Sequence, residues 1–419
     1  MSMSAPVSIA EIYHPNELEQ QKTRYRTAAE GYKSYFGSDG LNFRYFSAPG
    51  RTEVGGNHTD HNRGKVLAAS VNLDVIAAVE PTDDGIITFK SEGFDECKID
   101  TNDLEAKEEE KNTSGALIRG VAAGFKNSGY KVGGFKAYSV TNVLKGSGLS
   151  SSAAFEVLVG NILNSLYNNG GIGSIKIAQI SQYAENVYFG KPSGLMDQMA
   201  SSVGGFVAID FKDVNSPIIE QINVDFESFG HALCIIDTKG DHADLTPDYA
   251  AIPAEMKMVA NYFSVDYLRQ ICRHDIILNI GDLRAQFGDR AVLRSLHFFN
   301  ENERVDKLVH SLKAKDFPAF LEYIKASGDS SYKYLQNVFT VNDIKNQALG
   351  IGLNVSDSVL NGKGACRVHG GGFAGTVQAF VPIEMLKEFM LALDTVFGNG
   401  SCHVMRIRKI GGAEVALDS

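Results

Sequence analysis

Residues 143–156 read VLKGSGLSSSAAFE, with glycines and serines crowded into the start of an apolar helical pattern. Gly146 and Gly148 let the backbone approach a ligand closely or take a positive φ. Ser150, Ser151 and Ser152 bring hydroxyls and amides to a helix N-terminus, whose unpaired N–H groups and positive dipole end favour an anion. Downstream, Ala154, Leu158, Ile162 and Leu166 keep a helical stripe up to the break at Asn168-Asn169-Gly170-Gly171. Upstream, Gly134–Val140 alternates as a strand. The order strand, glycine loop, helix predicts an α/β fold with an anion site at the loop, against the plainer reading of a Gly/Ser loop that caps an ordinary helix. No Gly-Lys-Ser/Thr closes the stretch, so it is not a Walker A loop.

Two further stretches weigh on that choice. Phe43–Pro49 reads as a short aromatic strand and runs into GRTEVGGNHTDHNRG at 50–64, which gathers an arginine, two histidines, Asp60 and Asn57 among glycines. Such a segment is expected to be a loop, poor in regular structure and rich in site chemistry. The second stretch is GACRVHGGGFAGTVQA at 364–379. Three consecutive glycines cost conformational entropy, and close packing against a neighbouring loop would account for them.

Composition limits the function. With 44% hydrophobic and 21% charged residues over 419 positions, the chain is an ordinary globular protein of about two domains. A formal charge of −10 argues against nucleic acid or an anionic membrane as the main partner. No apolar run reaches a membrane span, and the first residues lack a secretory pattern, so a cytoplasmic protein is expected. Five scattered cysteines indicate neither a disulfide framework nor a zinc site.

The remaining segments supply the frame. Helical periodicity covers Ser8–Phe36, Leu117 to Phe125 and about Ile175 to Phe189, while Val66–Val79 and Ile86–Phe89 read as strands. EAKEEEK at 105–111 reads as a solvated face. Glu185 falls late in its helix on no apolar stripe, and Asp197 lies in a loop, PSGLMDQ at 192–198, in apolar company; it is either an ion-paired acid or a functional one. Gly205–Phe211 and His231–Asp237 are expected to be a strand pair. RSLHFFNENERV at 294–305 reads as a packing helix, and CHVMRIRKI at 402–410 alternates like a strand with one exposed face.

Taken together, GRTEVGGNHTDHNRG, GSGLSSSAA and GGGFAG, in this order and at these separations, resemble the GHMP small-molecule kinases and, within them, the galactokinases. AENVYFGKPSGLMDQ and HFFNENERV resemble galactokinase segments too, so the likeness runs from about Phe43 to the C-terminus. It implies a mixed α/β (α+β) fold of two domains, expected at 1–210 and 211–419, with the active site in the cleft between them. It implies phosphoryl transfer from ATP, with Mg²⁺, to the 1-hydroxyl of galactose. On the matching positions Asp197 and Arg51 are the catalytic pair, and Ser152 and Glu185 the magnesium ligands. Gly146, Ser147, Gly148, Leu149, Ser150, Ser151 and Ser152 wrap the ATP phosphates with support from Gly371 and Gly372. Asn57, His58, Asp60, Gly194 and Tyr249 read the sugar. The expected partners are the small-molecule sugar and ATP, with no nucleic acid and no membrane, in a monomer or weak homo-oligomer.

Several positions depart from the family pattern. Asn57 stands at its usual glutamate, His61 at its tyrosine, Glu53 at its asparagine, Leu144 at its proline and Ala374 at a glycine. An amide at 57 would tolerate a 6-carboxylate on the sugar, which makes galacturonate an alternative substrate. A non-catalytic sugar and ATP sensor is the alternative of another class, and it is disfavoured because the catalytic set is unbroken. A mevalonate or homoserine kinase is disfavoured by NHTDH and HFFNENERV.

Overall fold

The computed structural model describes residues 5–37, 43–144, 148–240 and 245–417. The strands are β1 (Val7–Ser8), β2 (Arg44–Gly55), β3 (Lys65–Thr82), β4 (Ile86–Ser91), β5 (Cys97–Asp100), β6 (Gly134–Thr141), β7 (Phe206–Asp210), β8 (Ile218–Ile222), β9 (His231–Asp237), β10 (Ala365–His369), β11 (Thr376–Pro382), β12 (Cys402–Met405) and β13 (Ala413–Ala416). The helices are α1 (Ile9–Ile12), α2 (Leu18–Phe36), α3 (Ser114–Asn127), α4 (Ser151–Tyr167), α5 (Ser174–Tyr183), α6 (Met196–Val203), α7 (Thr246–Tyr262), α8 (Arg273–Leu278), α9 (Ile280–Ala314, broken at Gly288), α10 (Phe317–Ser330), α11 (Ala348–Leu360) and α12 (Leu386–Phe397). Among the described residues the strands form two sheets, a mixed α/β architecture.

Strand β3 organises the larger, nine-stranded sheet, whose main order is β1-β13-β2-β3-β6-β4-β5. It pairs with β2 on one edge; on the other, Val75–Thr82 pairs with β6 and Lys65–Ala69 with β7, which carries β8. Its nearly unbroken apolar run is what burial on both faces requires. Helices α3, α4 and α5 cover one face in a shared core with Phe46, Ala77 and Val79. Helix α2 covers the other, packing Tyr25, Ala28 and Tyr32 against Ile76 and Ala78.

The smaller sheet has the order β10-β11-β9-β12. Val368, Val377 and Val381 pack with Phe389 and Leu393 of α12. Leu233, Ile235 and Phe380 belong instead to the core of the larger sheet. Past residue 210, strands β8 and β13 also join the larger sheet, β13 antiparallel to β2 and parallel to β1.

Four local readings are corrected. The segment after Pro49 is not loop until Gly55: β2 continues through Arg51–Gly55, kinked by register shifts on either side of Arg51 and Glu53. Gly205–Phe211 and His231–Asp237 do not pair, because β7 and β9 lie in different sheets and the intervening β8 takes the partner's place. The 105–111 run is not wholly solvated, since Glu110 receives the guanidinium of buried Arg119 at 2.6 and 2.7 Å. The basic residues of 402–410 do not all face water: Arg408 is buried and its Nη1 lies 2.8 Å from buried Asp74.

Candidate active site

Arg51 reaches Asp197 from a kinked strand. Its Nε and Nη2 both lie 2.7 Å from Asp197 Oδ1, and Nη1 donates to the Gly148 carbonyl of the serine-rich loop. Asp197 is not in a loop: it opens the first turn of α6, where the helix dipole favours a carboxylate. Burial would raise its pKa, but Arg51 and a hydrogen bond from Ser150 Oγ outweigh it and hold the carboxyl below its usual range. Ser150 takes a left-handed backbone (φ 53°, ψ 65°), and α4 starts at the next residue.

Glu185 occupies a π turn, Ala184–Phe189, that interrupts the α-helical repeat, which explains why no apolar stripe included it. It is buried, and four donors converge on it. Oε1 accepts from Ser152 Oγ at 3.0 Å and Lys191 Nζ at 2.9 Å. Oε2 accepts from Ser193 Oγ and, at 2.8 Å, from Gln198 Nε2, which also donates to Glu156 Oε2 at 3.0 Å. Burial, then the charge of Glu185, pushes the Glu156 pKa well above the usual carboxylate value. Glu156 Oε1 is buried without a hydrogen-bond partner.

Ser152 and Glu185 are hard oxygen donors side by side, a set that suits Mg²⁺ when phosphate oxygens and water complete its shell. Among the described residues no cluster of three or more His, Cys, Asp or Glu could hold a metal by itself. These donors fit a metal whose remaining ligands come from a nucleotide.

The Asp197 carboxylate faces a cavity of about 260 Å³ whose lining includes Arg51, Glu53, Asn57, His58, Asp60 and Gly194. Burial and neighbouring His61 lower the His58 pKa, so the ring is neutral; Nε2–H donates to the Gly371 carbonyl at 2.9 Å and Nδ1 is left as an acceptor. Gly194 has no room for a side chain, since a β-carbon there would meet Asp60 Oδ2 at 2.2 Å.

Two of the expected sugar-reading residues make their polar contacts within the protein. The Asn57 amide is consumed by protein: Nδ2 donates to Glu53 Oε1 (2.9 Å) and the Gly370 carbonyl (2.8 Å), and Oδ1 accepts from Asn337 (2.8 Å) and Ser331 (3.2 Å). Tyr249 is absent from the cavity wall; its hydroxyl donates to the Gly372 carbonyl at 2.9 Å and its ring packs edge-on against Phe373. The third motif is the turn between β10 and β11; Gly371 and Gly372 are explained by close packing against Tyr249 and Asn337, and Gly370 by its φ of +67°. Gly372 has φ +83°, and a β-carbon there would lie 2.0 Å from the Asn337 carbonyl oxygen. Gly370 and Gly371 line the Asp197 cavity. Lys145, Gly146 and Ser147 lie outside the described residues.

The sequence reading missed two features. The helix at 294–305 is a polar buttress within α9. His297 Nε2 meets the Asn57 carbonyl at 2.9 Å, Glu301 Oε1 accepts the Gly56 N–H at 3.0 Å, and Asn302 Oδ1 accepts the Lys65 N–H at 2.7 Å. Second, a cavity of about 320 Å³ opens on the other side of the serine loop, with Phe94, Phe155, Phe189, Asn112, Ser151 and Ser152 in its wall. The three phenylalanines are far apart in sequence, and no local pattern joined them.

Comparison with known proteins agrees with this geometry. Residues 30–81 match a galactokinase galactose-binding signature, and residues 116–205 match the N-terminal domain of GHMP kinases. A galactokinase of Streptomyces coelicolor is 28% identical over 91% of this chain and 95% of its own. One of Thermotoga petrophila is 30% identical over 79% and 87%. The structure of Lactococcus lactis galactokinase complexed with galactose superposes with a TM-score of 0.78 at 24% identity, over 93% of this chain and 99% of that one. A mevalonate kinase structure superposes at 0.61 with 15% identity, over 87% and 99%. With an arginine–aspartate pair in the wall of a cavity and relatives of this extent, the chain belongs to the galactokinase family of ATP-dependent GHMP kinases.

Proposed function

We propose that the protein phosphorylates the anomeric hydroxyl of α-D-galactose, with Asp197 and Arg51 at the reacting centre. The observation that carries this reading is the position of the pair. Asp197 lines one cavity, Ser151 and Ser152 line the other, and Ser150 bonds Asp197 from the loop between them. The sugar occupies the first cavity, held by Asp60, His58 and the backbone at Gly194. The adenine occupies the second, against Phe94, Phe155 and Phe189. The phosphates run between the cavities over the described part of the loop, Gly148 to Ser152, where the helix N-terminus attracts them.

The sugar O1 forms a bond to the γ-phosphorus as the bond from that phosphorus to the β,γ-bridging oxygen breaks. ADP leaves with the electron pair, and the hydroxyl proton passes to an oxygen of Asp197. Arg51 keeps Asp197 ionised and faces the charge that develops on the phosphoryl oxygens. Ser152 and Glu185 would hold Mg²⁺, which supplies neutralisation of phosphate charge when bound. Galactose is preferred over galacturonate on two grounds: the Asn57 amide is not available to a 6-substituent, and Glu53 and Asp60 both line the cavity. No helix among the described residues is long and apolar enough to cross a membrane.

ADP release with ATP, Mg²⁺ and D-galactose, compared between wild type and Asp197→Asn, tests the reading. The variant is expected to lose at least about 10³-fold in kcat while still binding nucleotide. Turnover at the wild-type rate would remove Asp197 from the mechanism.

A further inference from the structure

Lys191 is a cation at the reacting centre with no role in the mechanism given above. It lies between the π turn and α6, and its ammonium is 2.9 Å from Glu185 Oε1. Its side chain is 53% exposed while that of Glu185 is 1% exposed, so an exposed ammonium meets a buried carboxylate. The same side chain lines the cavity of Arg51 and Asp197. The oxygen it holds is the one shared with Ser152 Oγ, at 3.0 Å. The other oxygen is turned inward, to Ser193 and Gln198. Glu185 thus presents a single oxygen toward the loop that binds phosphate, and in the free protein that oxygen carries an ammonium.

Charge balance gives this arrangement a consequence. Arg51 and Lys191 offset Asp197 and Glu185, so the cluster is neutral before nucleotide arrives. A triphosphate adds negative charge at the point where Lys191 is anchored. A lysine is a compact charge on a flexible stem and can change partners within its reach without the backbone moving. Glu185 Oε1, by contrast, is fixed beside Ser152 and already accepts from the ammonium.

We propose that Lys191 is a further catalytic residue: it holds Glu185 Oε1 in the free protein and turns to the γ-phosphoryl oxygens once nucleotide is bound. The inference rests on the kinase reading above. In this role Lys191 and Mg²⁺ compete for Glu185 in the absence of a γ-phosphate and act together in its presence. A lysine that merely supported Glu185 would instead strengthen metal binding throughout.

The test uses the whole protein with Lys191→Met and Lys191→Arg. Steady-state kinetics on D-galactose are paired with calorimetric titration of ADP at a series of Mg²⁺ concentrations without sugar. Lys191→Met is expected to lower kcat by about 10²-fold with the galactose KM changed less than about twofold. It is also expected to lower the Mg²⁺ concentration that half-saturates ADP binding, because ADP has no γ-phosphoryl group and the competitor is gone. Lys191→Arg should recover part of kcat. An active wild type with unchanged kcat in Lys191→Met, or a Lys191→Met protein that needs more Mg²⁺ to bind ADP, would overturn the proposal alone. A wild type inactive on galactose would overturn the kinase reading and the proposal with it.

Discussion

A β-carbon built onto Gly194 would fall 2.2 Å from Asp60 Oδ2, with the Asp60 backbone held by its own turn. Gly194→Ala must therefore displace the Asp60 carboxylate, which lines the sugar cavity. A displacement of this kind is expected to raise the galactose KM about tenfold. Thermal unfolding should change little, since Gly194 lies in a partly exposed loop; an unchanged KM would show that Asp60 does not contact the sugar. Asp60, Arg51 and Asp197 were singled out in the sequence because they sit in motifs that resemble a kinase family, and the structure brings all three to one cavity. Asn57 was legible as a site residue but not as one whose amide is fully bonded. Its partners Asn337 and Ser331 are more than 270 positions away, and no local pattern announces them.

In α9, the buttress helix, Glu301 is buried and its pKa is lowered to about 2: burial opposes this, but Arg304, His297 and Arg367 prevail. An unfolded glutamate titrates near 4.3, so the folded state gains stability above that pH and loses it as pH falls toward 2. Glu301→Gln is expected to cost about 3 kcal/mol at pH 7 by urea unfolding. The gap to wild type should narrow as the pH is lowered through 4; a gap independent of pH would mean that the carboxylate charge contributes nothing. Periodicity identified this helix correctly, but an amphipathic stripe does not show that its inner face carries His297, Glu301 and Asn302. Polar residues four and five positions after His297, beside Phe298 and Val305, were the available signal. The π turn at Glu185 was hidden for a related reason, since a five-residue hydrogen-bond repeat leaves no 3.6-residue trace.

The fold as a whole is tied by side chains from three distant parts of the chain. Asp74 is buried where β3 changes partner, and it receives Arg24 of α2 at 2.6 Å and Arg408 at 2.8 Å. Burial would raise its pKa, but the two guanidinium groups hold it below the usual carboxylate range. Arg408→Met leaves this acid with one cation and is expected to cost about 3–5 kcal/mol in thermal or denaturant unfolding. A loss under about 1 kcal/mol would mean that the pair contributes to register and not to stability. The alternation of 402–410 predicted a strand edge in water, because period two cannot tell solvent from a buried acid brought there by another element. The larger sheet was legible strand by strand, but its order was not, since β13 returns to β2 from more than 350 residues downstream.

The bonding of Asn57 bears on how this enzyme can be redesigned. Four protein groups on β2, the β10–β11 turn, Ser331 just after α10 and the Asn337 segment share one amide. A library varied at position 57 would mostly sample misfolded chains, and sugar preference would be confounded with yield. Directed evolution toward new sugars should hold Asn57 fixed and place its diversity at Asp60, His61 and Ser193, which line the same cavity without joining those segments.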